Sequence, residues 1–353
     1  MIRVLHISSS DNLGGAAIAA KRLHDALSID SRVSSKMLVR DKTFVDNSIL
    51  NIESLYGYKY NHRIRWFLVK VGKKFSNFLT NRPFSVTFLS KSKIQRVIKE
   101  INPQILHIHW LDESLIALKD IPEINIPIVI TMHDMWFFTG GCHYTLDCNG
   151  FKSNCNTCPI IKNDYFASVS AHNFLEKQKS FSKNKSIHFI AVSSWLRNSA
   201  YKSAVMSEKK ISVLPNLINA DIFVMRPRSE AKQRLGLDDK KKYILFGAVN
   251  AINDDRKGWK YLVNALGKVN IPNTELIVFG NRTDTPNEVS GYRVISYDHV
   301  SDVDFLVDLY NGASLMVVPS VQEAFGQTII ESLSCGTPVV SFDNSGPSDI
   351  IRH

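Results

Sequence analysis

Residues Val317–Ser341 read VVPSVQEAFGQTIIESLSCGTPVVS, and this stretch decides the fold. Leu315 to Val318 has the length and apolar content of a buried strand, Pro319 to Phe325 is a loop, Gly326 to Ser334 has helical spacing, and Pro338 to Ser341 is a second buried strand. A loop in that position brings the first N–H groups of a helix, and the positive end of its dipole, to the carboxyl edge of a sheet. An anion such as a phosphate is well received there.

Two carboxylates flank the anion site. Glu323 lies in the loop and Glu331 eight residues later on the helix, with Gly326 between them allowing close approach to the backbone. A carboxylate accepts two hydrogen bonds at once, so Glu331 suits a ribose diol and Glu323 suits the hydroxyls of a second ring beyond the phosphates. Together they would hold a sugar nucleotide at both ends. Taken alone, the same acids also read as a helix cap and a solvated side chain.

The run Glu323-Ala324-Phe325-Gly326 followed by Glu331 resembles the E-x7-E signature of the retaining family-4 glycosyltransferases. The resemblance implies an α/β fold of the GT-B architecture, two Rossmann-like domains facing each other across a cleft. It implies that Glu323 binds the donor sugar, that Glu331 binds the nucleotide ribose, and that Phe325 and Gly326 belong to the same donor-binding loop.

Upstream, Lys242 to Val249, Glu275 to Phe279 and Val294 to Ser296 read as strands, and Gly258 to Leu266 and Asp302 to Tyr310 as helices. This alternation gives a parallel sheet covered on both faces. The first strand-to-helix loop carries Asn253-Asp-Asp-Arg256-Lys257-Gly258-Trp259. Arg can fork onto phosphate oxygens and Lys supplies a point charge. By themselves these are two exposed bases beside two acids; the resemblance implies that Arg256 and Lys257 hold the leaving diphosphate. Asp302-Val303-Asp304 imitates a metal-binding spacing, but at a helix start it reads as a cap.

Pro215-Asn216 resembles the family's hinge. It divides the chain into an acceptor-side domain, 1–215, and a nucleotide-sugar-binding domain, 216–353. The family continues past the Gly346-Pro347 turn, so the second domain is expected to be incomplete at its carboxyl terminus.

In the first domain Arg3 to Ser8 reads as a strand, Ala16 to Leu27 as a helix and Ser34 to Val39 as a second strand. Gly14 and Gly15 lie in the first loop without dinucleotide-fingerprint spacing, as a tight turn would place them. The resemblance implies that their amides meet the donor diphosphate or the acceptor. Ile105 to Trp110, ILHIHW, reads as a strand with His107 and His109 on one face. Pro127 to Met132 is another strand, and His133-Asp134 follows at its carboxyl end, where ligands bind in open parallel sheets. The resemblance implies that His133 contacts the donor sugar near the reacting carbon, with Asp134 secondary.

Cys142, Cys148, Cys155 and Cys158 follow in the pattern C-x5-C-x6-C-x2-C. Clustered thiols in a cytoplasmic chain point to structural Zn2+, with His143 as a substitute ligand; the other reading is four reduced thiols. Such a metal would pin the loop 142–158 and do no chemistry.

From Ser54 to Lys99 there are eleven Lys or Arg and no acid. Ile64, Phe67, Leu68, Val71, Phe75, Phe78 and Leu79 recur at helical spacing opposite the bases, which gives a basic amphipathic helix. The helix either packs on the sheet or docks residues 59–99 on an anionic membrane, which suits a polyprenyl-diphosphate-linked acceptor.

The whole sequence sets the outer bounds. Its 353 residues, 44% of them hydrophobic, suffice for two cores, and the net charge of +10 calls for an acidic partner. No apolar run has transmembrane length and the first residues already read as a strand, so a cytoplasmic protein, peripheral on the inner face of the cell membrane, is expected. A nucleic-acid binder would need aromatics interleaved with bases on a strand platform, a pattern this sequence lacks, so no nucleic acid is expected.

The resemblance implies a retaining hexosyltransferase that uses a UDP- or GDP-linked sugar and no catalytic metal. Its acceptor would be a saccharide or a lipid-linked one, in surface polysaccharide biosynthesis. The rivals are a catalytically silent sugar-nucleotide binder, a basic zinc-containing nucleic-acid binder, and a phosphorylase that would need a cofactor lysine.

Overall fold

A computed structural model describes residues 1–52, 67–68, 70–71, 74, 82–87, 92, 94–111, 115–162, 166, 168–250, 252–280, 285–298 and 300–352. The chain divides into two compact units, Met1–Leu217 and Ile218–His353.

The first unit is a seven-stranded, all-parallel sheet. Its strands are β1 (Ile2–Ser10), β2 (Val33–Asp41), β3 (Ile49–Asn51), β4 (Ile105–Ile108), β5 (Ile128–Met132), β6 (Ile187–Ala191) and β7 (Ile211–Val213), in the order β3-β2-β1-β4-β5-β6-β7. Helices with defined bounds among the described residues include α1 (Gly15–Ile29), α2 (Ile94–Ile101), α3 (Ser168–Lys183) and α4 (Ser194–Tyr201). Strands buried on both faces are normally apolar throughout. In β1, however, Leu5 and Ile7 fill one face while His6 and Ser8 are fully buried on the other. α1 presents small Ala17 and Ala20 to the sheet, together with His24.

The second unit repeats the plan. Strands β8 (Lys242–Gly247), β9 (Thr274–Phe279), β10 (Glu288–Val289), β11 (Tyr292–Tyr297), β12 (Leu315–Val318) and β13 (Val339–Ser341) are ordered β10-β11-β9-β8-β12-β13, with only β10 antiparallel. Its helices are α5 (Arg228–Arg234), α6 (Trp259–Leu266), α7 (Val303–Gly312) and α8 (Gln327–Ser334). Tyr243, Leu245, Ile277, Leu309, Tyr310, Met316 and Ile329 form one core cluster of this unit. Asp302 caps α7 by accepting from the Asp304 and Phe305 N–H groups, and Asp304 pairs with Arg226, so this pair of acids serves a helix end.

Among the parallel strands of each unit the order reverses once, between β1 and β4 in the first and between β8 and β12 in the second. Loops leave in opposite directions at such a point and open a crevice at the carboxyl ends of the strands.

The predicted basic helix lies mostly outside the described residues; Phe67, Leu68, Lys70, Val71 and Lys74 within it are helical, and the chain beyond it is described in two pieces. Phe84 bridges Cys142 as extended chain, and α2 starts separately at Ile94. Pro83 has no N–H to donate and biases its neighbour away from helix. One expectation changes: the histidine strand stops at Ile108, although the His109 N–H still reaches Ile7 O at 2.9 Å. Among the described residues no helix is long and apolar enough to cross a membrane.

Candidate functional site

The reversal point of the second unit gathers the charged side chains. After β8 the chain turns through Asp254–Gly258, and after β12 through Pro319–Gly326. The two loops are stitched together by the Val321 N–H donating to Arg256 O at 2.9 Å and by Arg256 Nη1 donating to Gln322 O at 2.9 Å. Gly258 makes the close approach feasible: its φ is +80°, and a Cβ there would stand 1.9 Å from Pro319 O.

Glu323 lies at the centre. Lys257 Nζ donates to its Oε2 at 2.6 Å, and Arg256 Nη1 donates to the same atom at 3.2 Å. Asp254 orients the arginine by accepting from Nη2 and from its backbone N–H, both at 3.0 Å. The Glu323 side chain is only 14% exposed. Burial would push its carboxyl up, but the charges of Lys257 and Arg256 and their hydrogen bonds prevail and hold it at about 2.

The rest of the loop is held from behind. Ser345 Oγ accepts from the Glu323 N–H at 3.0 Å, and the Gly346 N–H donates to Glu323 O at 2.8 Å. A Cβ on Gly346 would lie 2.4 Å from Ala324 O. Phe325 is buried, so its ring anchors the loop. Gly326, at φ +112°, begins α8.

Glu331 is not solvated. It is 4% exposed, and Tyr310 Oη donates to its Oε2 at 2.8 Å. The sequence offered no sign of Tyr310 as its partner.

In the first unit Gly14, at φ +87°, precedes α1, and nothing lies within 4 Å of a Cβ built on Gly14 or Gly15. The left-handed backbone requires glycine at 14; no neighbour requires it at 15. His133 follows β5, partly exposed, and its Nε2 is 3.3 Å from His109 Nδ1. Burial pulls its pKa down to about 4 against the raising charge of Asp134.

Asp134 has a positional job. It accepts from the Trp136 N–H and from His143 Nδ1, both at 2.8 Å, and His143 Nε2 is 2.9 Å from Ser85 Oγ. With both ring nitrogens taken, His143 is no substitute metal ligand. Lys177, completely buried, donates to Thr139 O at 2.9 Å and to Trp136 O, fixing the turn after His133.

Cys142, Cys148, Cys155 and Cys158 line one small cavity with Phe84, Phe151 and Ser170. No three of their sulfurs lie within 4.8 Å of one another among the described residues. Zn–S bonds of about 2.3 Å put sulfurs about 3.8 Å apart, so the quartet shares a cavity without being a closed tetrahedral set.

The sequence matches two family models, Glycosyltransferase Family 4 over residues 61–222 and Glycosyl transferases group 1 over residues 241–353. Between them the two models span most of the chain and support a glycosyltransferase of the family-4 type. It is 29% identical over 181 residues to an uncharacterized glycosyltransferase of Methanocaldococcus jannaschii, covering 48% of this chain and 45% of that protein. It is 23% identical over 276 residues to the N-acetyl-alpha-D-glucosaminyl L-malate synthase of Bacillus anthracis, covering 74% of this chain and 62% of that one. The chain thus spans less than two thirds of the length of these curated relatives. The solved structure of HepE from Anabaena in complex with UDP-glucose covers 100% of this chain and 84% of its own, at a TM-score of 0.64 and 14% identity. The fold is that of the GT-B glycosyltransferases.

Proposed function

We propose that this protein transfers a hexosyl group from a nucleotide-diphosphate sugar to a saccharide or lipid-linked acceptor, with retention of anomeric configuration. The observation that carries the reading is the Glu323, Lys257 and Arg256 cluster at the strand-order reversal of the second unit, beside the start of α8. The diphosphate takes Lys257 and Arg256 as its counter-charges, and Glu323, ionised at neutral pH, accepts from sugar hydroxyls.

As the nucleoside diphosphate departs, negative charge grows on the leaving oxygen. Cations already held in place stabilise it more in the transition state than in the ground state. The acceptor hydroxyl attacks the anomeric carbon from the leaving-group face and its proton passes to the departing phosphate, so no protein base is needed. Glu331 takes the nucleotide ribose, and the amides at Gly14 and Gly15 take phosphate or acceptor. His133 bonds an oxygen of the sugar.

The test is release of nucleoside diphosphate from UDP- and GDP-sugars with and without saccharide or polyprenyl-diphosphate acceptors. Acceptor-dependent release is expected. Tight binding without release under every acceptor would leave a sugar-nucleotide binder in its place.

The cysteine cavity is proposed as a structural zinc site, closing when the four sulfurs draw together as thiolates. One zinc per chain, by elemental analysis of protein purified without chelator, is expected. Its absence would leave four reduced thiols.

A further inference from the structure

The middle of β1 and the carboxyl ends of β4 and β5 carry a chain of imidazoles that the proposed reaction does not by itself require. His6 and His107 are register partners on neighbouring strands, His109 follows β4 and His133 follows β5. His6 Nδ1 lies 3.0 Å from His109 Nε2, and His109 Nδ1 lies 3.3 Å from His133 Nε2. The rings stack: His107 on His109 at 4.1 Å, His109 on His133 at 5.5 Å. His6, His107 and His109 are all buried.

Three such rings could also suggest a metal triad, and one nitrogen from each of His6, His107 and His109 lies within 4.8 Å of the others. His6 Nδ1, both nitrogens of His109 and Nε2 of His107 are otherwise engaged. Both of His109 face histidines, and His107 Nε2 is 2.8 Å from Thr131 Oγ1. A metal would have to break these pairings, so the hydrogen-bonded chain is the better account.

A hydrogen bond between two neutral imidazoles holds one proton, so the chain can run in only two directions. If it runs from His133 towards His6, every ring is protonated on Nε2, and the His6 Nε2–H becomes a buried donor with nothing to bond. His6 Nε2 has no partner among the described residues. A buried orphan N–H is among the rarest defects of folded proteins. If the chain runs from His6 towards His133, that atom is a bare nitrogen and no donor is stranded. Burial keeps the rings neutral at pH 7, with His6 and His109 well below the ordinary histidine range, His107 at about 3 and His133 at about 4.

We propose that His6 and His109 are positioning residues that lock His133 as the Nδ1–H tautomer, so that it offers a hydrogen-bond donor to an oxygen of the substrate. That tautomer is the minor one for a free imidazole and needs a reason to persist. His109 supplies it by donating Nδ1–H to His133 Nε2, with its own tautomer set by His6 in turn. His133 is then a donor to a hydroxyl or ring oxygen and not a base. The function of the donor rests on the transferase reading; the tautomer does not.

The direct measurement is long-range 1H–15N correlation on the full chain with 15N-labelled histidine at pH 7, the His133 signals being assigned by their loss in His133→Gln. A protonated Nδ1 and a bare Nε2 on His133 are expected. A protonated Nε2, or a metal-type shift on His6 and His109, overturns the proposal. In His109→Leu the His133 tautomer should revert to Nε2–H and kcat should fall about tenfold or more, with donor KM changed less than twofold. His109→Gln, whose amide can donate, should recover part of the loss. An unchanged tautomer in a folded His109→Leu would contradict the account, and if that variant does not fold, the wild-type spectrum still decides. Should no acceptor support turnover, the spectrum separates failure of the function reading from failure of this one.

Discussion

Glu323 shows how much one side chain is asked to do. It neutralises two cations and is a ligand for sugar hydroxyls in the proposed reaction. Glu323→Gln keeps the shape and an acceptor oxygen but removes the charge, and turnover should fall about 100- to 1,000-fold in the nucleotide-release assay. Glu323→Ala is the harsher change. It leaves Arg256 and Lys257 largely buried without their shared carboxylate and should cost roughly 3–5 kcal/mol in denaturant unfolding. Lost activity in that variant would therefore mix chemistry with stability. The pH dependence has a definite sign: the folded carboxyl sits at about 2 against an ordinary 4.5. Its contribution to stability is complete above pH 4.5 and is lost as pH falls towards 2, so Glu323→Gln should unfold with a shallower acid limb over that window.

Elements were legible where chemistry is local. The strand, loop, helix and strand of 315–341 could be read from apolar runs and breakers, and the Asp302 cap from its place before an amphipathic run. The β10–β11 hairpin was missed although Ser290-Gly291, both with positive φ, carries the turn dipeptide that marks it. Contacts distant in sequence left no such mark. Neither Tyr310 beside Glu331, nor Lys177 under the turn after His133, nor His6 opposite His109 can be inferred from spacing, because each pairing is made by the fold. Gly258 joins the two scales. Gly258→Ala should force Pro319 away and strain a left-handed residue, lowering stability by about 2 kcal/mol or more in thermal unfolding and weakening donor binding. Unchanged stability would show that the two loops are not tightly stitched.

At the scale of the whole molecule, the two units share one plan and differ in what they bury. The first carries imidazoles at its reversal point and the second an ion cluster. The net charge of +10 is drawn partly from the block 54–99, where Phe67 and Val71 are 61% and 46% exposed. Peripheral attachment to an anionic membrane predicts that full-length protein sediments with vesicles containing phosphatidylserine, and that neutralising the block's lysines and arginines releases it. Equal sedimentation of the two forms would remove the membrane from the account.

The most direct test of the central claim is thermal unfolding of wild type and Lys257→Ala across a panel of UDP- and GDP-sugars. A sugar nucleotide at 100 times its dissociation constant should stabilise the wild type by about 2.7 kcal/mol, and the shift should largely vanish in the variant. No stabilisation by any member of the panel, or an undiminished shift without Lys257, would contradict it.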